Sequence, residues 1–268
     1  MNQHSDVDFP TVLESYSGPL LVGRFRLGGI QVEHAGFSLC GSRREANDDR
    51  IRVAEEFGLV AVADGIGGSM SGGQAAQDCL DLIEEYLSSA SPVVDRAATL
   101  RDAVAWTNGR MLAKAWKPGG SERHPGGCCL AGVLLDETRS EFTTFHVGDC
   151  AVHVRAERNW KKLTVDHMEA TARPSLVSGR VRKPRIRRAM GMTPVADAEF
   201  RAFPLTDGTR LMITSDGCDF AARTHSGVPA PEPEPGGSLE GCVRGLAAAV
   251  VAGPLRDDSS AIILDVSL

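Results

Sequence analysis

The sequence predicts an α+β fold in which two mainly antiparallel sheets carry helices on their outer faces. Three observations lead there. Strand-like segments arrive as consecutive hairpins, two helical segments run in tandem between them, and the regular strand–helix alternation of a parallel sheet is absent. Phe37–Cys40 reads as a strand, and so does Gly58–Ala63, a short apolar run bounded by glycine and aspartate. Gly72–Ser88 places Ala76, Cys79, Leu80, Ile83 and Leu87 at helical spacing. Ala97–Ala115 does the same with Leu100, Val104, Thr107, Met111 and Ala115, and Pro118-Gly119-Gly120 ends it. Cys129–Leu135 and Glu141–Val147 follow as strands joined by the polar turn Asp136-Glu137-Thr138-Arg139, then Ala151–Ala156 and Lys161–Val165. Arg173–Arg188 is irregular and basic. Arg210–Thr214 is a strand, and Val228–Gly237 is a Pro/Glu/Gly-rich loop. Leu239–Val251 reads as a helix with Cys242, Val243, Leu246 and Val250 on its apolar face, and Ala261–Val266 is the closing strand. Residues 1–34 show weak periodicity and read as an N-terminal extension or peripheral strand, leaving 35–268 as one domain.

Composition narrows the function classes. A chain of 268 residues with 42% hydrophobic content buries a sizeable core. A formal net charge of −6 argues against general binding to nucleic acid or to an anionic membrane. The longest apolar run, Leu246–Ala252, is too short to span a bilayer, and the N-terminal segment lacks a secretory pattern. Seven cysteines, an odd number without Cys-x-x-Cys spacing, read as free thiols in a reducing compartment. Adjacent Cys128 and Cys129 would point to opposite faces of one strand. A cytoplasmic, monomeric protein is the expectation.

Acidic residues recur beside apolar strand segments. Asn47-Asp48-Asp49 stands near the start, Asp64-Gly65-Ile66-Gly67-Gly68 ends one strand, and Gly148-Asp149 ends another. Ser215-Asp216-Gly217 ends a third, and Asp257-Asp258 opens the last. A carboxylate where a buried strand emerges is held close to rigid backbone, and a following glycine permits a sharp turn and close approach. Several such carboxylates converging repel one another unless cations neutralise them, and all-oxygen surroundings favour Mg²⁺ or Mn²⁺ over Zn²⁺. Asp-Gly is also ordinary turn chemistry, and Asp207-Gly208, in a polar context, reads as a hairpin turn. The pattern alone therefore supports an acidic cation site and no more.

These residues, in order, resemble the metal-dependent protein phosphatase family, protein phosphatase type 2C, in its bacterial form. Arg44-Glu45-Ala46-Asn47-Asp48-Asp49 is similar to its Arg-x-x-Asn-Glu-Asp, and Val62-Ala63-Asp64-Gly65-Ile66-Gly67-Gly68 to its Val-Ala-Asp-Gly-Met-Gly-Gly. Gly127-Cys128-Cys129-Leu130 stands for Gly-Thr-Thr-Leu, and Val147-Gly148-Asp149 for Val-Gly-Asp. Leu163-Thr164-Val165-Asp166-His167 resembles Leu-Thr-x-Asp-His. Ser215-Asp216-Gly217 and Asp257-Asp258-Ser259-Ser260 resemble Ser-Asp-Gly and Asp-Asn-x-Thr.

The resemblance implies a four-layer α-β-β-α sandwich with metal ions at one end. It implies a serine/threonine phosphatase that hydrolyses phosphoserine or phosphothreonine by direct attack of a metal-bridging water. Asp49, Asp64, Asp216 and Asp257 would bind two Mn²⁺ or Mg²⁺ ions with the Gly65 carbonyl, and Asp149 would serve a third position with Asp216. Arg44 would bind the substrate phosphate through its guanidinium fork. Asp49, Asp64 and Asp216 thereby count, with Arg44, as the catalytic set. Phosphorylated proteins, and a partner serine/threonine kinase or its targets, are the implied partners. Nucleic acid and membrane are not.

Several positions depart from the family. Asp48 replaces Glu, Asp258 replaces Asn, and Cys150-Ala151 replaces Ser-Arg, removing a polar support after Asp149. Ile66 stands where eukaryotic members carry a histidine proposed to protonate the leaving group, so that proton comes from water or another residue. The changes at Asp258 and Cys150-Ala151 favour a catalytically silent regulatory protein; the retained carboxylates favour an enzyme. His146 and His153, in strands, read as packing or hydrogen-bonding residues. The strip Arg180–Arg188 reads as a solvated loop, with docking of acidic or phosphorylated substrates as the sharper alternative.

Overall fold

Alternation along the central strands decides the architecture, because each strand has apolar residues on both faces. In a computed structural model, residues 17–67, 72–90, 95–115, 126–156, 159–169, 185–218, 238–253 and 257–268 are described. The elements are β1 (Leu21–Leu27), β2 (Ile30–Leu39), β3 (Asp49–Ala54), β4 (Leu59–Ile66), α1 (Gly72–Ser89), α2 (Arg96–Ala115), β5 (Gly127–Asp136) and β6 (Glu141–Val147). They continue with β7 (Ala151–Ala156), β8 (Asn159–Lys162), β9 (Glu199–Pro204), β10 (Thr209–Thr214), α3 (Leu239–Ala252) and β11 (Ser259–Ser267).

One sheet has the order β1-β2-β11-β10-β7-β8 and the other β3-β4-β5-β6-β9, with every pairing antiparallel. The faces turned toward each other share one core: Val60, Val62, Cys129, Ala131 and Val133 meet Val32, Val152, Leu211, Ile213, Ile262 and Leu264. Opposite-parity residues of the second sheet, among them Ala61, Ala63, Cys128 and Leu130, pack under Ala76, Cys79, Leu80 and Ile83 of α1 and Leu100 and Val104 of α2. The outer face of the first sheet, through Phe37, Met212 and Ile263, packs under Cys242, Val243, Leu246 and Val250 of α3. The result is the four-layer α-β-β-α sandwich. Cys128 and Cys129 face opposite layers, and all seven cysteines are free thiols.

The structure departs from sequence expectation in several places. β3 and β9 had no counterpart there, whereas β1 is the peripheral strand allowed for residues 1–34. β1 and β9 are edge strands with one face largely open, and Arg50 and Arg52 interrupt the apolar pattern of β3. β2 crosses position 34, pairs with β11 from Leu39 to Gln31, and sends Ile30 and Val32 into the inter-sheet core. Lys161–Val165 is not one strand. Pairing with β7 ends at Lys162, after which Leu163 turns into the core while its N–H donates to Val152 O (2.8 Å). Asp207-Gly208 is not a hairpin turn, since it joins β9 and β10, which lie in different sheets. The Pro118-Gly119-Gly120 stop, the Val228–Gly237 loop, Gly68 and positions 180–184 of the basic strip lie outside the described residues. Among the described residues, no helix is long and apolar enough to cross a membrane.

Candidate metal centre

Antiparallel register brings distant aspartates together. Asp49 opens β3 and pairs directly with Asp64 on β4. Asp149 occupies the β6–β7 turn, Asp216 follows β10, and Asp257 precedes β11, the neighbour of β10.

Electrostatics records how closely they meet. The Asp64 carboxyl is raised well above the usual carboxylate range, first by burial and then by the charges of Asp49, Asp216, Asp149 and Asp257. Asp49 is pushed up to about 7, mainly by burial; hydrogen bonds from Ser215 and Ser260 oppose the shift, and Asp258 and Asp216 add to it. Ser215 Oγ donates to Asp49 Oδ2 at 2.7 Å. Burial also raises Asp149, against a hydrogen bond from Cys129. Asp49 Oδ1 and Asp149 Oδ1 are buried with no protein partner. Buried carboxylate oxygens left unpaired are costly, and hard divalent cations take oxygen donors. The residues present therefore fit a Mn²⁺ or Mg²⁺ site.

Arg44 lies at the rim. Its Nε and Nη2 donate to Asp257 Oδ1 at 3.0 and 2.5 Å, an ion pair 40% and 44% exposed. The same oxygen accepts from Asp258 N (3.0 Å), so Oδ1 is committed to the protein.

Two departures from the family gain a structural account. Asp258, 3% exposed, accepts from Gly41 N through Oδ1 (2.8 Å) and from Asp48 N through Oδ2 (2.7 Å). It fastens together the two loop segments on either side of Arg44. Asp48 Oδ1 accepts from Gly73 N (2.6 Å), placing a carboxylate against the first turn of α1, where free amides and the helix dipole favour it. Neither role was visible in the sequence. Ser215 is likewise a positioning residue, and its only sequence signal was its place before Asp216. Ile66 packs against the inter-sheet core. His146 donates from Nε2 to Val165 O (2.9 Å) and stacks on His167, the packing and hydrogen-bonding role expected of it.

Glycine is required where β4 runs into α1. A Cβ on Gly65 would meet Gly72 C and O at 2.2 Å, backbone against backbone. Gly65→Ala is expected to push α1 away from Asp64 and cost about 1–3 kcal/mol, read as a lower urea midpoint at unchanged m-value.

Comparison with known proteins agrees with this frame. The protein phosphatase 2C profile matches residues 40–231, and the chain belongs to that family. Among solved structures it is similar to "PppA, a key regulatory component of T6SS in Pseudomonas aeruginosa", with TM-score 0.69, 20% identity, and 87% of this chain and 96% of that one covered. It is similar to the PPM Ser-Thr phosphatase MsPP from Mycobacterium smegmatis in complex with cacodylate (TM-score 0.65, 21% identity, 87% and 97% covered). It is also similar to the catalytic domain of the serine threonine protein phosphatase PstP in complex with two manganese ions (TM-score 0.69, 19% identity, 89% and 100% covered). At these identities the likeness establishes the fold. No curated protein matches the chain.

Proposed function

We propose that the chain is a cytoplasmic, metal-dependent protein serine/threonine phosphatase acting on phosphoserine and phosphothreonine. The observation that carries this reading is the convergence of Asp49, Asp149, Asp216 and Asp257 on Asp64, with two buried carboxylate oxygens unpaired and Arg44 at the rim. Asp49, Asp64, Asp216 and Asp257, with the Gly65 carbonyl, would hold two Mn²⁺ or Mg²⁺ ions, and Asp149 with Asp216 a third. When bound, such cations supply an acidified water and charge neutralisation for phosphoryl transfer. The chain's own residues do the rest. Arg44 offers a planar fork to the phosphate oxygens while Asp257 restrains its position. Ser215 orients Asp49, and Asp258 holds the Arg44 segment in register. Ile66 has no transferable proton, so the leaving oxygen takes its proton from water or another residue. Phosphorylated proteins, and the targets of a serine/threonine kinase, are the proposed substrates.

A silent regulatory scaffold is the second reading. Cys150 and Ala151 are fully buried and apolar, so no polar side chain follows Asp149 onto β7. Release of phosphate from a phosphothreonine peptide, with Mn²⁺ and with chelator, separates the two. Asp216→Ala is expected to lower that turnover by about a hundredfold. Undiminished hydrolysis in the variant would contradict the ligand assignment, chelator-insensitive hydrolysis in the wild type would contradict metal dependence, and absent hydrolysis would favour the scaffold.

A further inference from the structure

His167 lies outside the carboxylate cluster, yet it grips the turn that presents Asp149. Its backbone N–H donates to Gly148 O (2.8 Å), and its Nδ1 accepts from the Gly148 N–H (3.2 Å). One residue thus holds both main-chain polar groups of the glycine before Asp149. The ring is buried, stacks on His146 with centroids 4.5 Å apart, and turns Nε2 toward Glu199 Oε1 at 3.2 Å. Glu199 is tied in turn to Arg201 (3.2 Å) and Arg188 (3.7 Å).

His146, His167 and Glu199 also place ligand atoms within 4.8 Å of one another, a donor set that zinc accepts. The hydrogen bonds decide against a metal there. A backbone amide can only donate, so His167 Nδ1 carries the lone pair and the neutral ring bears its proton on Nε2, aimed at Glu199. Arg188 Nη1 lies 3.3 Å from the same Nε2. With the proton on Nε2 both are donors and make no hydrogen bond to each other; both face Glu199 Oε1 instead, and the guanidinium sets a cation where the ion would sit.

We propose that His167 is a positioning residue for Asp149, bracketing Gly148 with ring and backbone while Glu199 fixes the tautomer that allows it. The inference rests on reading Asp149 as a cation ligand. Its physical basis is a division of labour around one turn. On the far side of Asp149, Cys150 and Ala151 give no polar side chain to restrain it. The restraint comes instead from the near side, through Gly148, whose φ of +98° needs holding in place.

The test uses the full chain, ¹⁵N-labelled at histidine, together with Mn²⁺ titration. His167 should show the Nε2–H tautomer at neutral pH, unchanged by equimolar Zn²⁺. His167→Leu should weaken one Mn²⁺ step, the one Asp149 serves, about tenfold and leave the others intact, while His167→Asn, which restores an acceptor for Gly148 N–H, should recover most of that loss. Should His167→Leu fail to fold, Glu199→Leu, altered at the outer side of the relay, should mix the tautomers and weaken the same step by about threefold. A dominant Nδ1–H tautomer, Zn²⁺ bound at the ring, or unaltered Mn²⁺ binding in folded His167→Leu or Glu199→Leu overturns the proposal. Wild-type protein that binds no Mn²⁺ overturns the phosphatase reading and the Asp149 role together, whereas the tautomer spectrum judges the bracket alone.

Discussion

Asp64→Asn is expected to lower Mn²⁺-dependent hydrolysis by a factor of about a thousand while making the metal-free protein more stable. The two effects have one cause. Asp64 is buried and faces the charges of Asp49, Asp216, Asp149 and Asp257, an arrangement that suits a cation and strains the protein without one. Asparagine keeps the shape and removes a charge. The gain is on the order of 2 kcal/mol, or about 5 °C in Tm for a chain of this length. Calorimetry in chelator and in Mn²⁺ reads both halves. The wild type should rise in Tm with Mn²⁺, and the variant should start higher and not respond.

The pH dependence has a definite sign. Because Asp49 is pushed up to about 7, the folded metal-free protein holds more protons than the unfolded chain between about pH 4 and pH 7. Its stability therefore falls as pH rises through that window, and the raised Asp64 contributes with the same sign. Burial lowers His34 and His146, which work in the opposite direction. The comparison that isolates the carboxylates is thus variant against wild type, in urea midpoints at pH 5 and pH 7.5. The advantage of Asp64→Asn should be larger at the higher pH. A variant less stable than wild type in chelator at pH 7.5 would remove the crowded-carboxylate account.

Much of this was legible because the informative residues sit at the ends of well-patterned strands. β4 and β10 carry apolar runs followed by Asp64 and by Ser215-Asp216, β6 runs into Val147-Gly148-Asp149, and α1 carries its apolar residues on one stripe. β3 and β9 were not legible for a physical reason. Arg52 alternates with Ile51 and Val53, and β9 leaves most of its residues partly or fully open, so neither has the apolar run that marks a buried strand. Register was also hidden. That Asp49 stands opposite Asp64 depends on pairing, to which no local pattern of Asn47-Asp48-Asp49 points. The basic strip shows the same limit from the other side. Arg187 N donates to His167 O (2.7 Å) and Arg188 pairs with Asp197 (2.8 Å), so its described end is folded against the body rather than solvated throughout.

Asp258 is the residue whose meaning changed most. In sequence it reads as an extra negative charge beside a cation ligand; in space both its oxygens accept backbone N–H groups, from Gly41 and Asp48, more than two hundred positions away. Asp258→Ala is expected to cost about 2–5 kcal/mol, since it leaves one buried and one part-buried amide without an acceptor. Asp258→Asn, the residue usual in the family, should cost roughly half as much, because one acceptor remains and the amide NH₂ faces the other N–H. Both variants should lose activity together with stability, because Arg44 lies between the two clamped segments and Asp257 is the adjacent residue. Equilibrium urea unfolding of the three proteins, alongside Mn²⁺ affinity, distinguishes a clamp from a ligand. A clamp gives a graded fall in midpoint from Asp to Asn to Ala. A ligand gives Mn²⁺ affinity that falls at constant midpoint, and that result would return Asp258 to the metal centre.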